Sequence, residues 1–86
     1  MEMTPIKSIS EIEWRKRFVE KLNYRMDLCG INQKELAKLI GISESAMSNY
    51  MRCKRTPRID VIARMSHVLG CTTDYLINVG YYVDVR

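Results

Sequence analysis

The sequence predicts an all-α fold of five short helices, ending in a tail that alternates like a short C-terminal β-strand. Three observations carry that expectation. Apolar residues recur at three- and four-residue spacings nearly throughout, the period of helices that bury one face. Residues that open helices (Ser10, Asn32, Ser43) and glycines that stop them (Gly30, Gly41, Gly70) punctuate the chain at short intervals. With 2 prolines and 4 glycines in 86 residues, breakers are too scarce for a loop-rich domain.

The elements follow in order. Ser10 with Glu13 forms a capping-box pattern, after which Trp14, Phe18, Leu22 and Met26 make one apolar stripe down to Gly30. Asn32 caps a second helix with Glu35 at its third position, Leu36, Leu39 and Ile40 as its stripe, and Gly41 at its end. Ser43 caps a third, which runs to about Arg52. Thr56-Pro57 breaks the chain, and Ile59 to Leu69 form a fourth helix whose core stripe is Ile59, Ile62, Ser66 and Leu69. His67 falls off that stripe and is expected in water. Thr72 or Thr73 starts a short fifth helix through Tyr75, Leu76 and Ile77. From Val79 to Arg86 the period changes to two, with Val79, Tyr81, Val83 and Val85 on one side. A single strand in a helical chain either frays or pairs with a twin.

Length and composition bound the function. Eighty-six residues are expected to form one domain, spanning 1–86, with no second domain to sense a small molecule. No apolar run approaches the roughly 18 residues of a membrane span. The N-terminus lacks a basic stretch followed by an apolar core, so a cytoplasmic protein is expected. Cys29, Cys53 and Cys71 are widely spaced and His67 is the only histidine, so no metal site is expected and the thiols read as buried or half-buried. Without a histidine-bearing triad, a glycine-rich phosphate loop or an HExxH pattern, neither an enzyme nor a cofactor is expected.

Charge points elsewhere. The formal net charge is +4, and the run from Arg52 to Arg58 alone holds four cations and no acid. The earlier cluster of Arg15, Lys16 and Arg17 is diluted by Glu11, Glu13 and Glu20. A compact basic segment suits a polyanion such as nucleic acid; a solvated loop is the plainer alternative.

Residues 33–52 carry the sharpest signal. Two short helices meet at Leu39-Ile40-Gly41-Ile42-Ser43, with Ala37 small where they cross and Gly41 able to take a left-handed turn. Leu36, Ile40, Ile42, Met47 and Tyr50 supply apolar contacts at the spacings of a helix-turn-helix, with an ordinary αα-corner as the alternative. Together with Gly30 to Ala37 and Leu69 to Leu76, this segment resembles the Cro/CI-type helix-turn-helix family of phage repressors and related bacterial transcriptional regulators. The resemblance covers about residues 14–78. It implies a five-helix lambda-repressor-like DNA-binding domain whose third helix enters the major groove. It also implies that the stretch from Val68 to Asn78 meets its twin in a dimer. Many relatives hold a buried Arg–Glu pair between helices one and three; the matching positions here are Met26 and Met51.

On the third helix, Ser45, Ser48, Asn49 and Arg52 fall on one polar face opposite Met47, Tyr50 and Met51. These four, with Glu44 at the helix tip, are the expected base-contacting residues. Asn49 matches adenine bidentately and Glu44 can accept from cytosine, although Glu44 also suits the helix dipole without touching DNA. Gln33, at the start of helix two and at a position that anchors the DNA backbone in the family, joins Lys54, Arg55 and Arg58 as the expected phosphate contacts. The expected function is a sequence-specific double-stranded DNA-binding regulator, a repressor acting as a homodimer on a two-fold operator. Concentration, degradation or a regulatory protein partner would then control it. The alternative is a protein-interaction module, such as an antitoxin or antirepressor-like partner, that keeps the fold.

Overall fold

The computed structural model of the chain describes residues 9–80, which form α1 (Glu11–Cys29), α2 (Gln33–Ile40), α3 (Glu44–Met51), α4 (Ile59–Leu69) and α5 (Thr73–Ile77). Four of these helices begin where a short side chain accepts a backbone N–H that the helix leaves unpaired. Ser10 Oγ takes Glu13 N–H (3.1 Å), Asn32 Oδ1 takes Glu35 N–H (2.8 Å), Ser43 Oγ takes Ala46 N–H (3.0 Å) and Thr72 Oγ1 takes Tyr75 N–H (3.0 Å). At α2 the box is reciprocal, since Asn32 N–H donates to Glu35 Oε1 at 3.0 Å. At α1 the carboxylate of Glu13 instead meets Arg17 Nε at 3.4 Å, leaving the single cap bond. Thr72 is thus the cap of α5.

The helix ends are closed by side chains from elsewhere in the fold. Gly30, Gly41 and Gly70 turn the chain in left-handed conformation after α1, α2 and α4. Carbonyls left without helical partners then receive cations. Arg25 Nη2 donates to Leu69 O (2.6 Å) and Gly70 O (3.3 Å), Arg64 Nη1 to Ile40 O (2.7 Å), and Arg15 Nη1 to Cys53 O (3.2 Å). Lys21 Nζ donates to Tyr75 O (3.0 Å) while lying 4.5 Å above the Tyr75 ring, and Arg17 Nη1 donates to Val79 O (2.9 Å). Four of these five donors lie on α1, so α1 braces the ends of α3, α4 and α5.

Between the helices lies one apolar core. α1 contributes Trp14, Phe18, Leu22 and Met26; α2 adds Leu36, Ala37 and Ile40; and Met47, Met65, Leu69 and Leu76 close it from the other three helices. Trp14 and Phe18 stack with centroids 5.2 Å apart. α2 packs on both α3 and α4, while α1 contacts α3, α4 and α5.

The structure corrects three expectations. Leu39 does not belong to the buried stripe of α2: it is 60% exposed, and Leu36, Ala37 and Ile40 face the core instead. At about 100° per residue those three span a continuous arc, and Leu39 lies beyond its edge. Ile59 is 76% exposed, because it is the first residue of α4 and lies to one side of the arc formed by Val61, Ile62, Met65, Ser66 and Leu69. Cys29 is exposed rather than buried, since it ends α1 where the helix has passed the core; Cys53 and Cys71 are half-buried. His67 is exposed as expected. The expected strand lies outside the described residues from position 81 onward, and Val79 and Gly80 are not in a strand. Among the described residues no helix is long and apolar enough to cross a membrane, and no group of three or more potential metal ligands occurs.

Candidate nucleic-acid interface

The turn between α2 and α3 follows from a few residues. Ala37 is fully buried where the two helices approach, and Gly41 adopts φ 75° so that the chain reverses. Ile42 N–H then closes on Ala37 O at 3.0 Å, which ends α2, and Ser43 opens α3 two residues after the glycine. Met47 anchors α3 in the core, with Ile42, Tyr50 and Met51 packed against it from partly buried positions. Met26 is buried in this core and Met51 packs against it, so both of these positions are apolar here.

Those contacts fix which side of α3 is turned outward. Glu44, at the first position, and Ser45 are exposed. Ser48 and Asn49 are only partly exposed, so the polar face is flanked by core rather than fully in water. Arg52 caps the helix and is exposed. Asn49 also supplies its backbone carbonyl to Lys54 N–H (2.9 Å), and Cys53 N–H reaches Tyr50 O (3.0 Å). This paired closure ends α3 with Cys53 in left-handed conformation at φ 62°, where a glycine would be usual.

Lys54 and Arg55 project from the following turn, exposed and without an ion pair among the described residues. Arg58 precedes α4 and meets Asp60 at 3.3 Å, but its side chain is 84% exposed, so water screens that pair. Gln33 is the first residue of α2, half-buried. Seven of the nine expected contact residues lie between the tip of α3 and residue 55; Arg58 stands at the entry to α4 and Gln33 on α2.

Sequence reasoning missed the residues behind this surface. Arg15 Nε donates to Thr56 Oγ1 (2.8 Å) and its Nη2 to Glu11 Oε2 (2.6 Å), while Thr56 Oγ1 donates to the same carboxylate oxygen (2.8 Å). The hydrogen bond from Thr56, followed by that from Arg15, holds the Glu11 carboxyl below its usual range. The four-residue spacing of Glu11 and Arg15 was a visible signal of their pairing, whereas nothing nearby in the sequence marks Thr56 as the third member.

Comparison with known proteins agrees with this geometry. The helix-turn-helix family model matches residues 22–76. The HTH-type transcriptional regulator ImmR of Bacillus subtilis is 33% identical over 58 residues, which cover 67% of this chain and 46% of that protein. The chain thus spans about half the length of that curated relative. The P22 c2 repressor, solved in complex with a synthetic operator, superposes with a TM-score of 0.63 at 30% identity over 70% of this chain and 91% of that one. A hypothetical transcription factor from Neisseria, NHTF, shares the fold with a TM-score of 0.71 over 87% of this chain and 86% of its own, at 21% identity. With a family match across more than half its length, the chain belongs to the Cro/CI-type helix-turn-helix family.

Proposed function

We propose that the protein is a sequence-specific double-stranded DNA-binding transcriptional regulator, acting as a repressor and as a homodimer on a two-fold operator. The observation that carries this is the arrangement of α3: its apolar side is locked into the core by Met47, while Glu44, Ser45, Ser48, Asn49 and Arg52 occupy the outward arc. The operator-bound P22 c2 repressor supports the reading by likeness. Residues of the arc would contact base edges, and Asn49 is the side chain suited to adenine N6 and N7. Gln33 at the start of α2, with Lys54, Arg55 and Arg58 beyond α3, would grip phosphates and set register without reading sequence.

A single short helix contacts too few base pairs to mark a site in a genome, so two copies related by a two-fold are required. The surface that joins them is proposed along residues 68–78 or in the tail beyond. The whole chain is proposed to act as one domain, with no catalytic step.

Selection of binding sites from random duplex DNA at fixed salt tests the reading. The expected result is an enriched motif of two inverted half-sites, centred about 34 Å apart along the helix axis or a multiple of that. Recovery of unenriched DNA would contradict it and favour a protein-interaction module on the same fold.

A further inference from the structure

Lys54 and Arg55 are bracketed by two anchored residues. On one side the carbonyl of Cys53 accepts from Arg15 Nη1 at 3.2 Å; on the other, Thr56 Oγ1 accepts from Arg15 Nε at 2.8 Å. The third nitrogen, Nη2, is held by Glu11 Oε2 at 2.6 Å, and that oxygen also receives the Thr56 hydroxyl at 2.8 Å. All three guanidinium nitrogens of Arg15 are therefore engaged, and its side chain is only 22% exposed. A planar guanidinium with each edge occupied fixes the relative position of everything it holds. Here it holds the start of α1 to both flanks of the basic turn. Within that turn Cys53 has a left-handed backbone that a non-glycine residue adopts at a cost, so the turn does not hold its shape by local preference alone.

We propose that Arg15, seated by Glu11 and Thr56, is a positioning residue for DNA binding: it fixes the turn that presents Lys54 and Arg55 to the phosphate backbone. This inference rests on the proposed function. It assigns a purpose to a carboxylate beside a basic surface. Glu11 contributes negative charge that by itself repels DNA, and its value lies in orienting Arg15.

The sign of one substitution separates positioning from plain electrostatics. Glu11→Gln removes a negative charge, so electrostatics alone predicts binding about twofold tighter. Positioning predicts weaker binding, because a neutral amide oxygen holds the third edge of Arg15 less strongly than the carboxylate does. Thr56→Val leaves every charge in place and removes both bonds of the hydroxyl. The probe is a mixed-sequence DNA duplex of about twenty base pairs, titrated over a salt series, with thermal unfolding measured on the same samples.

Glu11→Gln and Thr56→Val are each expected to bind about three- to tenfold more weakly while remaining folded at the titration temperature. Their salt slopes should be shallower by about 1, as for loss of one phosphate contact. Arg15→Lys should not restore binding, since an ammonium cannot span three acceptors in one plane. Glu11→Gln binding as tightly as the unaltered protein, or more tightly, would overturn the inference alone. So would weaker binding with an unchanged salt slope, which would mark loss of folded protein. Failure of the unaltered protein to bind the duplex would instead overturn the proposed function, and this inference with it.

Discussion

Cys53 shows how a single backbone angle shapes the proposed interface. At φ 62° it occupies a region that costs a residue with a Cβ about 1–2 kcal/mol, yet it closes α3 and turns the chain toward Lys54. Cys53→Gly is expected to raise stability by up to about 1 kcal/mol, the left-handed relief exceeding glycine's greater chain entropy. Cys53→Val, branched at Cβ, is expected to lower it by more than about 1 kcal/mol. Urea unfolding midpoints check both, and a destabilised glycine variant would mean that packing of the half-buried thiol outweighs the backbone term. At this scale the sequence is only partly legible. Pairs four apart on one helix, such as Glu11 with Arg15 and Glu13 with Arg17, are visible as spacing. The bonds from Arg15 to Thr56 and Cys53 join residues about forty positions apart and have no local signature.

Among the elements, caps and apolar periods were informative because both act locally. Ser10, Asn32, Ser43 and Thr72 cap α1, α2, α3 and α5, and glycines end α1, α2 and α4. Leu39 and Ile59 escaped because apolarity does not say which edge of a short helix meets the core; that depends on the helices packed against it, α3 and α4 for α2 and α1, α2 and α5 for α4. The packing of α1 with α3 also yields a prediction. Met26 is buried and Met51 half-buried in one core. Met26→Arg should cost about 3–5 kcal/mol by leaving a buried charge without a partner. Adding Met51→Glu should recover part of that loss, read from the coupling in a double-mutant cycle. Wild-type stability of Met26→Arg, measured by urea unfolding, would place that side chain in water and shift the correspondence with relatives.

Across the described residues, two groups of cations stand out. Arg15, Arg17, Lys21, Arg25 and Arg64 donate to backbone carbonyls and brace helix ends or the turns beyond them. Arg52, Lys54, Arg55 and Arg58 are exposed between α3 and α4. The formal net charge of +4 hides this division, because it counts the bracing cations and those of the basic turn alike. Charge clustering in the sequence pointed to the exposed group, while the bracing group emerged only from the fold. The proposed division of labour is that α3 reads bases and the turn after it grips phosphate. It is tested most directly by repeating the site selection with Asn49→Ala and Lys54→Ala side by side. Asn49→Ala is expected to relax preference at one base position per half-site, with about 1–3 kcal/mol of discrimination lost there. Lys54→Ala should weaken binding to all duplexes alike and leave the motif intact. An unchanged motif from Asn49→Ala would contradict the placement of the reading face on α3.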